Sequence, residues 1–120
     1  TGYNTTALGS KSLYTNTTGY NNTAAGAYAL YLNSTGRQNT AIGTNALYTA
    51  TTSYNTAVGD GALQFMSTGQ RNTAVGTYAL DQIGTGSDIW PIVTSALVPI
   101  PLLSDIQPLL QPATRSGFTR

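Results

Sequence analysis

The sequence predicts an all-β, repetitive β-solenoid or β-roll with one coil per roughly 17 residues, and three observations predict it. The first is a recurring tetrad, Thr-Ala-apolar-Gly: Thr6-Ala7-Leu8-Gly9, Thr23-Ala24-Ala25-Gly26, Thr40-Ala41-Ile42-Gly43, Thr56-Ala57-Val58-Gly59 and Thr73-Ala74-Val75-Gly76. Its glycines step by 17, 17, 16 and 17 residues. The second is the shortness of that period, because helical-hairpin repeats need about 30 residues or more and leucine-rich repeats at least about 20. The third is composition. Apolar positions within a copy are few and small, glycine recurs at two fixed points, and Asn, Thr and Ser fill most of the rest. That pattern suits short strands joined by tight corners where glycine supplies positive φ.

Each element follows from its place in the repeat. The tetrad supplies the strand and Gly9, Gly26, Gly43, Gly59 and Gly76 the corner after it. Four residues past each glycine stands a leucine, giving Leu13, Leu30, Leu47, Leu63 and Leu80. Five residues further on come Thr18, Thr35, Thr52, Thr68 and Thr85, followed by Gly19, Gly36, Gly69 and Gly86, with Ser53 substituting once. Counting from the leucine places the missing residue of the short copy between Ser53 and Asn55. Coils stacked about 4.8 Å apart would pile equal positions into columns. The tetrad's aliphatic column (Leu8, Ala25, Ile42, Val58, Val75) and the leucine column are expected to be buried, and Asn22, Asn39, Asn55 and Asn72 to form an amide ladder. Tyr14, Tyr31 and Tyr48 form a further column that fades into Gln64 and Asp81, which places it on an outer face or a subunit contact. Each coil buries little: about 1.5 to 3 kcal/mol per large side chain does not offset about 1 to 2 kcal/mol of backbone entropy per residue, so several chains are expected to share a core.

Two segments are expected: a five-copy solenoid over 1–86 and a Pro-rich apolar tail over 87–120, serving as a cap or docking segment. Pro91, Pro99, Pro101 and Pro108 interrupt the tail, so it is not read as a membrane-spanning helix. The absence of an initiator Met and of a basic, apolar leader suggests a piece of something longer.

Charge and chemistry narrow the function. Only 8% of residues are charged, with five Lys or Arg against four acids, so no basic patch invites nucleic acid or anionic lipid. There is no His and no Cys, which removes imidazole bases, thiol nucleophiles, disulfides and the usual zinc sites. Asp60 and Asp81 occupy different repeat positions, so the paired carboxylates of a glycosidase are not expected. The sequence is therefore read as a non-enzyme without catalytic residues, cofactor or metal.

The strings Asn22-Thr23-Ala24-Ala25-Gly26-Ala27-Tyr28-Ala29-Leu30 and Asn39-Thr40-Ala41-Ile42-Gly43-Thr44-Asn45-Ala46-Leu47, joined by segments such as Asn16-Thr17-Thr18-Gly19-Tyr20-Asn21, resemble repeats of phage tail-fibre and related virion surface proteins. They are also similar to a lengthened form of the β-roll head repeat of trimeric autotransporter adhesins. The resemblance covers about the first 86 residues. It implies a homotrimeric fibre on a virion or outside the cell, a spacer and attachment role, and the chain itself as partner. A cell-surface carbohydrate or other receptor would then meet Tyr14, Tyr31 and Tyr48. The adhesin repeat is shorter than this one, so its coil geometry does not transfer directly. A different reading is an ice-binding or carbohydrate-binding solenoid surface. The threonines at positions 6, 23, 40, 56 and 73, and those at 18, 35, 52, 68 and 85, form two rows of the kind that orders water.

Overall fold

A computed structural model describes residues 2–82 and 85–89. Five three-residue strands, β1 (Thr6–Leu8), β2 (Thr23–Ala25), β3 (Thr40–Ile42), β4 (Thr56–Val58) and β5 (Thr73–Val75), form one sheet in the order β1-β2-β3-β4-β5. Every pairing is parallel and sets like on like: Thr6 on Thr23, Ala24 on Ala41, Ile42 on Val58, Val58 on Val75. One repeat is one coil of a β-solenoid.

Side chains alternate across a strand, so the middle residue of each tetrad faces opposite to its two neighbours. Alanine takes the inner position: Ala24, Ala41, Ala57 and Ala74 are fully buried. Against them pack a second alanine set (Ala29, Ala46, Ala62, Ala79) and the leucines Leu13, Leu30, Leu47 and Leu63, with Leu80 partly buried alongside. Leucine and alanine together thus make the core within one chain. The tetrad's aliphatic residues are not in it. Ile42 is 43% exposed because it lies on the outer face beside the threonines, and Leu8, on an end strand where Ala7 is exposed as well, is 70% exposed, which corrects the expectation that this column is buried.

The leucines approach the core along an unusual backbone. All five have φ between 50° and 52°, and the residues two positions earlier (Lys11, Tyr28, Asn45, Gly61, Tyr78) lie between 55° and 68°. For a residue with a side chain, left-handed backbone costs roughly 1 to 2 kcal/mol. Leucine burial, about 1.5 to 3 kcal/mol, offsets it. Bonding to the next coil assists: Leu30 N–H donates to the Ala46 carbonyl and Leu47 N–H to that of Ala62, both at 3.0 Å. Positive φ is therefore not confined to glycine. Gly43 has it, at 132°, but the second glycine set does not. At Gly36 the requirement is close approach, since a Cβ there would collide with the Thr52 carbonyl and the Asn33 amide oxygen.

That contact also relocates the deletion in the short copy. Asn22 Nδ2 donates to the Gly36 carbonyl and Asn55 Nδ2 to that of Gly69, and in the intervening coil Asn39 Nδ2 donates to Thr52. Thr52, not Ser53, fills the glycine slot, and the residue is lost between Ala50 and Thr52. The threonine row through positions 18, 35, 68 and 85 is consequently broken at the third coil.

The coil pattern also runs past the expected boundary at residue 86. Ile89 is buried, donates its N–H to Asn72 Oδ1 at 2.9 Å and accepts from Thr73 N–H at 2.6 Å. The cap or docking segment expected of the Pro-rich tail falls on residues 90–120, outside the described residues.

Candidate functional site

The solenoid presents two surfaces of distinct chemistry. The first is the outer face of the sheet. Thr6, Thr23, Thr40, Thr56 and Thr73 run down it in register, with Leu8, Ala25, Ile42, Val58 and Val75 beside them. Neither row carries a charge. Parallel pairing fixes the repeat between rungs at about 4.8 Å, so the face is a regular array of hydroxyls and methyls.

The second surface is aromatic. Tyr14, Tyr31 and Tyr48, one per coil, meet edge to face: ring centroids are 5.4 Å apart for the first pair and 5.1 Å for the second, both at 82°. The column expected from the sequence is thus a physical contact. Tyr28 leans into it, 5.4 Å from Tyr31 and 6.2 Å from Tyr48. The Lys11 ammonium lies 5.9 Å from the Tyr14 ring and 5.7 Å from Tyr28, which is cation–π range.

A second aromatic group was not anticipated. Tyr3 and Tyr20 stack at 5.1 Å and 5°. One coil on, the Arg37 guanidinium lies 5.7 Å from both the Tyr20 and Tyr54 rings. Its pKa is raised, chiefly by a hydrogen bond with Tyr54 and then by charge interaction with Tyr20. The signal was present in the step of 17 from Tyr3 to Tyr20 to Arg37, but no residue type repeats there through all the coils.

The remaining charges among the described residues are dispersed. Arg71 holds Asp88 in a two-pronged exposed pair, Nε to Oδ1 at 2.6 Å and Nη2 to Oδ2 at 3.0 Å. The pair lowers the pKa of Asp88, first through the hydrogen bond from Arg71, and raises that of Arg71. Among the described residues no three His, Cys, Asp or Glu side chains gather as a metal site requires. Nor is any helix among them long and apolar enough to cross a membrane.

Fold and surfaces together define a parallel β-solenoid with one methyl-and-hydroxyl face and a tyrosine ribbon. Comparison with protein-family models, curated proteins and solved structures finds no match to this chain.

Proposed function

We propose that the chain is a structural segment of a homotrimeric fibre, extracellular or on a virion surface, whose repeats act as a stiff spacer and whose tyrosines serve attachment. The observation that carries this reading is the uncharged outer face of the sheet, where Leu8 and Ile42 stand 70% and 43% exposed. A continuous aliphatic row of that kind on a single chain marks an interaction surface. Copies related by rotation about an axis parallel to the solenoid bring equal rungs to equal height, so each chain covers the row of the next and the ring closes.

Sedimentation of the full chain tests this. A trimer that dissociates when Ile42 and Val58 are both changed to Asp supports the reading, and a folded wild-type monomer refutes it. One observation favours a second reading: the same face carries an unbroken in-register threonine column beside its methyls, the array expected of an ice-binding surface. The two readings compete for one face. Thermal hysteresis from a monomer, lost on Thr40→Tyr, would select ice binding over assembly.

A further inference from the structure

We propose that the tyrosines stacked between successive coils are sites of oxidative coupling, where a carbon–carbon bond staples one coil to the next: Tyr3 to Tyr20, and Tyr31 to either Tyr14 or Tyr48. The proposal is independent of how many chains associate.

The geometry comes from the repeat. Six of the eight tyrosines lie in ring contacts, and the shortest, Tyr3–Tyr20 and Tyr31–Tyr48, have centroids 5.1 Å apart. Both of these pairs span 17 residues in sequence, so register holds together phenols that an unfolded chain would seldom juxtapose. Two groups fixed at this separation react as if at very high concentration. Access is open: Tyr14 is 64% exposed and Tyr3 57%.

Competing targets are few. The chain has no cysteine, so oxidising equivalents cannot end in a thiol. Its one methionine, Met66, is fully buried and its thioether accepts a hydrogen bond from Asn72 Nδ2 at 3.1 Å. Surface tyrosines are the remaining large oxidisable group on the described coils.

The step balances with a peroxide as oxidant. Each phenol gives up one electron and one proton, leaving a phenoxyl radical. The two radicals join through the ring carbons ortho to oxygen, and the two displaced ring hydrogens move to the oxygens, restoring both aromatic rings. The pair has lost two hydrogens overall, and hydrogen peroxide takes up the two electrons and two protons to become two waters. Tyr31 lies between Tyr14 and Tyr48 of the adjoining coils, with Tyr28 of its own coil 5.4 Å away, and supplies one bond between coils. The product closes a loop within the chain, constraining its unfolded state as a disulfide would in a protein that has none.

The test treats the dilute full chain with a haem peroxidase and hydrogen peroxide. The expected wild-type product shows blue dityrosine fluorescence, a loss of two hydrogens per bond, and cross-linked peptides joining Tyr3 to Tyr20 and Tyr31 to Tyr14 or Tyr48. It migrates as a single chain on a denaturing gel and unfolds at higher denaturant than untreated protein. The triple variant Tyr20→Phe, Tyr31→Phe, Tyr48→Phe keeps its ring packing and loses the signal. Tyr54→Phe with Tyr78→Phe, neither of which belongs to a ring pair among the described residues, keeps it. The proposal is overturned if wild type gives no coupling, if fluorescence survives in the triple variant, if the control pair loses it equally, or if the bonds join separate chains.

Discussion

Two asparagine columns run through the interior, and they end differently. In the column of Asn22, Asn39, Asn55 and Asn72, each Oδ1 accepts the backbone N–H one coil on, at 2.9 to 3.0 Å, and each Nδ2 donates to a backbone carbonyl. The last acceptor bond comes from Ile89, which has no amide side chain and needs none. In the second column Asn33 Nδ2 donates both to Asn16 Oδ1, side chain to side chain, and to the Gly36 carbonyl, so here the Oδ1 acceptors look to side chains rather than backbone. The next position is Ala50, which offers no donor there, and Asn33 Oδ1 is left buried without a partner. A ladder anchored on backbone tolerates any residue in the following slot, whereas one anchored on side chains leaves an unpaired atom where the residue type changes.

The most damaging test goes to the leucines of the core. Leu47→Asp is expected to cost more than about 4 kcal/mol per chain, read from denaturant unfolding, because it buries an unpaired charge in place of a packed side chain. Aspartate tolerates the left-handed backbone at this site, so the loss reports burial rather than strain. An unchanged unfolding midpoint would place the leucine column in water. Asn39→Ala comes next, at about 2 to 4 kcal/mol, since it strands the buried Asn55 N–H and one donor bond to Thr52. Asn33→Ala should cost less, about 1 to 2 kcal/mol: it removes the unpaired oxygen and the Gly36 carbonyl keeps its bond from Asn22, but the half-buried Asn16 Oδ1 loses its donor. Equal losses for Asn39→Ala and Asn33→Ala would erase the distinction between the columns.

The smallest effect lies at the last coil. Asp88 has its pKa lowered by Arg71, so the stability the pair contributes is present in full above the ordinary aspartate value of 3.8 and is lost as pH falls through the lower folded value. Both side chains are more than half exposed, at 58% and 55%, so only a slight loss is expected. Amide exchange of residues 85–89 measured on either side of that window should detect it, and Asp88→Asn should flatten the response.

The coil length, the strand positions, the leucine column and the main asparagine ladder were legible because each is a residue type repeated at one spacing. The direction of the tetrad was not. A three-residue strand offers too little alternation to say which face is inner, and here alanine goes in while Ile42 and Leu8 go out, against the usual ranking of hydrophobicity. Thr52 was misplaced because counting from the leucine and counting back from the asparagine give different slots when one residue is missing, and only the carbonyl contacts choose between them. The left-handed leucines were invisible for a related reason: burial, not residue preference, selects them. Of the aromatic surface, Tyr14, Tyr31 and Tyr48 were readable as a periodic set, while Lys11, Tyr28 and Arg37 sit at variable positions and join it only through folding.

The backbone N–H of Ile89 closing the main ladder bears on how such proteins change size over generations. Because the ladder asks of the next coil only a main-chain donor, and the stacked leucines and alanines ask only for the same repeat again, a stretch of 17 codons can be duplicated or dropped in register, and the solenoid lengthens or shortens by about 4.8 Å each time. Solenoid length thus changes only in whole coils, an increment set by the spacing of the sheet.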